Sequence, residues 1–262
     1  MVFKRQKIPE ETLLEVDGSE VLVQICLSKR SKRYRLSIPH SGVPLLSMPQ
    51  NGRWPEAEKF LQKQRAWLGA RLKRTPAPVP FVDGAKIVLR GDPAQIMATG
   101  KLRGQVEISN GENMPILSVP GGPKHMARRL TDWLKIQALG EFEARTKFHA
   151  ARLNVTPKSV KTRTQSSRWG SCSSSGRLNY NWRLILAPPF VLDYVVAHEV
   201  AHLSEMNHSP AFWARVKQTL PEMERGRAWL KDNGNQLMAY GLAARCSQSM
   251  CLAGRIDKTM TG

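Results

Sequence analysis

The chain has 262 residues, 41% of them apolar, and 40 Lys and Arg stand against 21 Asp and Glu, a formal net charge of +19. That length and composition exclude a fibrous or low-complexity chain and allow one large or two small globular domains with ample core. No apolar run approaches the roughly 18 residues that signal a membrane span, and the surplus of cations predicts attraction to polyanions at low salt.

The opening residues, MVFKRQKIPEETLLEVDG, are basic but lack the uninterrupted apolar region of a signal peptide, so a cytoplasmic location is expected. The cysteines Cys26, Cys172, Cys246 and Cys251 contain no C-x-x-C pair and imply no disulfide framework. Residues 20–50 read as strands: EVLVQICLS and RYRLSIP are β-branched and alternating. The basic knot KRSKRYR, residues 29–35, alternates with Tyr34, Leu36 and Ile38 as the outer face of a strand would. A nucleic-acid partner is open to such a surface, but no reading motif accompanies it.

PEAEKFLQKQRAWLGARLK follows as one helix, with Pro55 in its first turn and Phe60, Leu61, Gln64, Trp67, Leu68 and Leu72 on one face. TPAPVP ends it, and AKIVLRG and QVEISNGENMPILSVP read as further strands. At Pro123 the spacing changes: Met126, Leu130, Trp133, Leu134, Gln137, Ala138 and Phe142 predict a long helix to about His149. SVKTRTQ and RLNYNWRLILA alternate again, with SSSG, residues 173–176, as the turn between two strands. The expected organisation is a β-rich part with one helix over 1–122, a core over 123–240 and a loosely held tail over 241–262. No internal repeat is evident.

The chemistry concentrates in AHEVAHLSEMNHSPAFW, residues 197–213. A helix starting near Pro189 puts His198 and His202 one turn apart on the same face. Two imidazole nitrogens so placed suit one zinc ion, and Glu199 reaches the open side of the metal as a base, the H-E-x-x-H arrangement. A catalytic zinc takes three protein ligands, and His208 is the candidate for the third. The chain must turn to bring it back. Asn207 suits a left-handed helix stop, Ser209 an N-cap and Pro210 a first helical residue, so His208 falls on a corner between two helices.

The stretch from Ser167 to Trp213 closely resembles the YgjP-like family of zinc metallopeptidases, relatives of the SprT-like and Wss1-like proteases. The motifs that carry the resemblance are R-W-G-S-C, N-W-R-L, A-P, V-x-H-E-x-x-H and N-H-S-x-x-F-W. It extends more weakly over about residues 20–240, through KRSKRYRLSIP and RAWLKDNGNQLMAY. The resemblance implies zinc on His198, His202 and His208, Glu199 as catalytic base, and a peptide or protein substrate. The fold it implies is α+β: a zincin-like core with a β-hairpin beside the zinc helix, preceded by the β-rich N-terminal part.

The hairpin before that helix is a candidate for strand-wise peptide binding, with Arg168 and Ser171 at its tip as candidate substrate contacts. Arg168 has two open roles: stabilising an oxyanion or anionic group, or packing the hairpin with Trp169 onto the helices. Tyr194, one turn before His198, is open to a role beside the metal or in the core. A zinc-dependent phosphohydrolase acting on nucleotides or another anionic substrate is the alternative reading, favoured by the basic balance and Arg168. The oligomeric state has no signal in the sequence.

Overall fold

The computed structural model describes residues 8–39, 42–165 and 167–242. The chain divides after Pro78 into two compact units, the second being Val79–Leu242. The expected boundary at 122/123 marks instead the start of a helix inside the second unit. Most of the expected tail, from residue 243 on, lies outside the described residues. No described helix is long and apolar enough to cross a membrane.

In the first unit, β1 (Glu11–Val16) and β2 (Ser19–Ser28) form a hairpin. Its two-residue turn, Asp17–Gly18, has φ of 50° and 76°, which is the positive-φ pair that matches strand twist. β4 (Leu45–Pro49) runs parallel to β2, and β3 (Arg35–Ser37) closes the order β1-β2-β4-β3. Alternation buries Leu14, Val16, Val23, Leu46 and Met48 against Ala57, Leu61 and Leu68.

The expected single helix is two: α1 (Trp54–Lys63) and α2 (Arg65–Lys73), separated by Gln64 at φ −94°, ψ 3°. The break changes the phase of the apolar face, so Leu68 is buried while Trp67 is exposed. The basic knot is mostly not strand; Lys29, Arg30, Lys32 and Arg33 lie exposed in the connection from β2 to β3.

The second unit opens by repeating that plan. β5 (Lys86–Leu89) and β6 (Asp92–Ala98) form a hairpin whose turn, Arg90–Gly91, again has two positive φ values. β8 (Ile116–Val119) runs parallel to β6, and β7 (Glu107–Ser109) pairs with β8, giving β5-β6-β8-β7. The same bond starts each parallel pair: Gln24 N–H donates to the Pro44 carbonyl and Gln95 N–H to the Pro115 carbonyl, both at 2.9 Å. PLLSMP and PILSVP occupy equivalent places, each ahead of a helical stretch in which a buried Leu follows a Trp, Leu68 in α2 and Leu134 in the helix that follows PILSVP. An internal repeat is therefore present, carried by topology more than by identity.

α3 (Pro123–Leu153) is the central helix of the second unit and stops four residues later than expected, at Asn154 in the left-handed region (φ 54°, ψ 48°). Its face Met126, Leu130, Leu134, Ala138 and Phe142 is fully or almost fully buried. The third sheet corrects the expected hairpin. The turn at residues 173–176 joins β10 (Gly170–Cys172) to β11 (Arg177–Asn181), while β9 (Ser159–Arg163) lies parallel to β11 on its other side. After Asn181 the chain does not continue as strand; Trp182–Leu186 form a buried 3-10 turn.

α4 (Pro189–Ala201), α5 (Pro210–Thr219) and α6 (Met223–Met238) complete the unit. A polar network ties three helices together. Fully buried His149 of α3 bonds Asp193 of α4 and Thr219 of α5, each at 2.7 Å, and Arg145 pairs with the same Asp193. Both ring nitrogens of His149 thereby have a partner, as burial requires. The ends of the unit meet: Val79 N–H donates to the Ala239 carbonyl and Gly241 N–H to the Val79 carbonyl, both at 2.9 Å.

Candidate metal centre

α4 begins with Pro189 as first helical residue and carries an apolar run that buries Val191, Leu192, Val195, Val196 and Val200. That burial fixes the rotation of the helix and turns His198 toward its C-terminal exit. The helix ends at Ala201, and His202 caps it while keeping the helical turn from His198. The exit is made by tightened turns, with Leu203 N–H on the Val200 carbonyl and Ser204 N–H on the Ala201 carbonyl. Asn207 is not in the expected left-handed conformation. Ser209 is the N-cap of α5, its hydroxyl accepting from Phe212 N–H at 3.3 Å.

The structure brings the three histidines together: one ligand atom from each of His198, His202 and His208 lies within 4.8 Å of the others. Nε2 of His198 and Nε2 of His208 are 3.0 Å apart. Two nitrogens on one tetrahedral zinc stand roughly 3.4 Å apart, so the donor set fits the ion with a small adjustment. His202 Nδ1 is 2.9 Å from the Glu205 carbonyl. A carbonyl only accepts, so Nδ1 carries the proton and Nε2 keeps the free lone pair, the orientation given to metal-binding imidazoles by their outer hydrogen bonds. Burial, then the two neighbouring imidazoles, push His198 down to about 3, which keeps it neutral and able to ligate.

Phe212 is the floor of this cluster. Its fully buried ring lies 4.8, 4.4 and 4.8 Å, centroid to centroid, from His198, His202 and His208. Trp213 stands 5.8 Å from His198 and 5.7 Å from His208. From the sequence both aromatics read as core.

Glu199 is buried, and burial pushes its carboxyl up to about 7, while the Arg168 guanidinium pulls it the other way. Its carboxylate lies against Gly170, where a Cβ would stand 2.5 Å from Oε1. The strand β10 therefore approaches the metal helix as closely as a side-chain-free residue allows. Alternation along β10 puts Gly170 and Cys172 on the Glu199 side and the Ser171 side chain on the other. Burial first, then Glu199, pushes the Cys172 thiol up to about 11.

Arg168 is exposed, and no acceptor for its guanidinium is found among the described residues. Buried Asn181 shapes that segment, donating to the carbonyls of Gln165 at 2.8 Å and Arg168 at 3.4 Å. Tyr194 is nearly buried, its ring 6.0 Å from that of His198. Asn181, Gly170 and Phe212 lie beside the candidate site, and the sequence reading gave them no place there. A Gly directly before the S-C of β10 was the one visible signal.

Three imidazoles on a helix and its exit turn, with a carboxylate beside the first, form a cluster that could hold a metal ion. The YgjP-like family model, described as "YgjP-like, metallopeptidase domain", matches residues 32–233, and the chain belongs to that family. It is a metallopeptidase of α+β fold, and proteins or peptides are its substrates. No curated protein matches the chain. A solved structure similar to it is the crystal structure of the metallopeptidase zymogen of Pyrococcus abyssi abylysin, at 20% identity and a TM-score of 0.33, covering 39% of this chain and 99% of that one.

Proposed function

We propose that the protein is a zinc peptidase in which His198, His202 and His208 hold the ion and Glu199 is the general base. Zinc, when bound, supplies a Lewis acid for the scissile carbonyl. Glu199 takes a proton from the attacking water and returns it to the leaving amine. Its buried position beside Gly170 and its raised pKa suit a group that must both accept and release that proton.

The observation that supports an extended peptide substrate is the bonding of β10. Asn181 N–H donates to the Trp169 carbonyl and Ser173 N–H to the Arg177 carbonyl. In an antiparallel pair bonded residues alternate, so the backbone groups of Gly170 and Cys172 face away from β11, toward a free edge. A peptide added there runs beside Glu199. Arg168, without an acceptor of its own, serves the developing oxyanion or an acidic group of the substrate. Ser171 contributes through its backbone neighbours, since its side chain faces away from Glu199.

The test pairs metal analysis with cleavage of an unfolded protein. Wild type is expected to hold about one zinc per chain and to cut. Glu199→Gln is expected to keep zinc and lose turnover by roughly a hundredfold or more. Arg168→Ala is expected to lose modestly. If the zinc-loaded wild type cuts no peptide but hydrolyses a nucleotide in an Arg168-dependent way, the phosphohydrolase reading replaces this one.

A further inference from the structure

α6 packs against both the helix that carries His198 and the hairpin beside it. At Gly226 a Cβ would stand 2.5 Å from Tyr194 Cβ and 3.0 Å from the Phe190 carbonyl, so α6 presses on the metal helix there. Eight residues on, at Gly234, a Cβ would stand 3.4 Å from the Trp169 ring, at the tip of the hairpin. Positions eight apart share a helix face. The two glycines therefore fix where α6 crosses the site, and with it the residue next to the first, Arg227.

The Arg227 guanidinium carbon lies 4.7 Å from the centroid of the Trp213 ring. Trp213 in turn packs beside His198 and His208. The one carboxylate partner of Arg227 among the described residues is Glu224, at 3.3 Å, with both side chains about half exposed or more. Such a surface pair on one helix holds weakly. A guanidinium over an indole, held otherwise only by that weak pair through Nη1, can turn its N–H donors to a planar, bidentate acceptor.

We propose that Arg227 binds a carboxylate of the substrate beside the metal, so the site selects peptides with an acidic side chain or a free C-terminus close to the bond that is cut. The proposal rests on the peptidase reading and adds a substrate class to it. Arg227 is a specificity residue rather than part of the hydrolytic step.

The experiment uses the full-length, zinc-loaded protein and two matched peptide pairs: Glu against Gln at each position near the cut, and a free against an amidated C-terminus. Wild type is expected to favour the carboxylate member of one pair by about tenfold or more in kcat/KM, mainly through KM; the pair that responds identifies the source. In Arg227→Gln the ratio falls to about one, and in Arg227→Lys part of it returns, with zinc content and Tm unchanged in both. Calorimetric binding of the same pairs to zinc-loaded Glu199→Gln gives a readout free of turnover. Cleavage with no carboxylate preference, or a preference that survives Arg227→Gln, overturns the proposal and leaves the peptidase reading intact. Arg227-dependent binding without cleavage in wild type upholds it and removes the peptidase reading instead. Neither binding nor cleavage of either pair removes both.

Discussion

Gly170 and Glu199 are in such close apposition that a methyl group added to the glycine would stand 2.5 Å from the carboxylate oxygen. Gly170→Ala must therefore displace the base, the strand or both. The expected cost is about 1–3 kcal/mol of stability from overpacking and on the order of a hundredfold in turnover from misplacing the base, with zinc retained. Loss of stability alone, with normal turnover in the folded fraction, would show that Glu199 relaxes harmlessly.

Zinc is expected to raise the Tm of the wild type by mass action, since the three imidazoles converge only in the folded chain. His198→Ala, His202→Ala and His208→Ala should each remove most of the bound zinc and most of that gain in Tm. Full zinc content in His208→Ala, the exposed member of the set, would exclude it as a ligand.

Asp193 accepts from His149 and Arg145 at the junction of three helices, and these partners hold its carboxyl below the usual range despite burial, which acts the other way. A depressed carboxylate contributes stability that is present above its unfolded pKa of about 3.9 and is lost as pH falls through the lower folded value. Asp193→Asn should destabilise by about 3–5 kcal/mol near neutral pH. It should also flatten the acid limb of a denaturation series run downward from pH 5. An unchanged acid limb would place the pH dependence elsewhere.

The repeated hairpin turns offer a matched pair of substitutions. Gly18 has φ of 76° and open space around its Cβ position, so Gly18→Ala should cost about 1 kcal/mol, from the backbone alone. Gly91 has φ of 91°, and a Cβ there would meet Pro188 at 3.0 Å, next to the start of the metal helix. Gly91→Ala should cost about 2–4 kcal/mol. Equal losses in chemical denaturation would mean that Pro188 gives way.

The histidine cluster was legible because its determinants are local: the helical repeat between His198 and His202, then Ser209 and Pro210 restarting a helix just beyond His208. The fold around it was less so. β9 pairs with β11 across the intervening β10, and nothing in the alternation of SVKTR distinguishes that partner from the nearer one. The repeat hid because its two copies share bonds such as Gln24–Pro44 and Gln95–Pro115 rather than side chains. Arg227 hid for a different reason. A cation on a polar helix face reads as solvated, and only the contacts of Gly226 with Tyr194 and of Gly234 with Trp169 show where that face lies.

The bonds that join Val79 to Ala239 and Gly241 have a consequence for how such a chain can be rearranged. The polypeptide enters and leaves the catalytic unit at one seam, like a purse drawn shut by its string. New ends can be cut in an exposed loop and the old ones spliced across that seam with a short linker, without opening the core. A circularly permuted catalytic unit of this kind would keep every residue of the metal centre on uninterrupted chain.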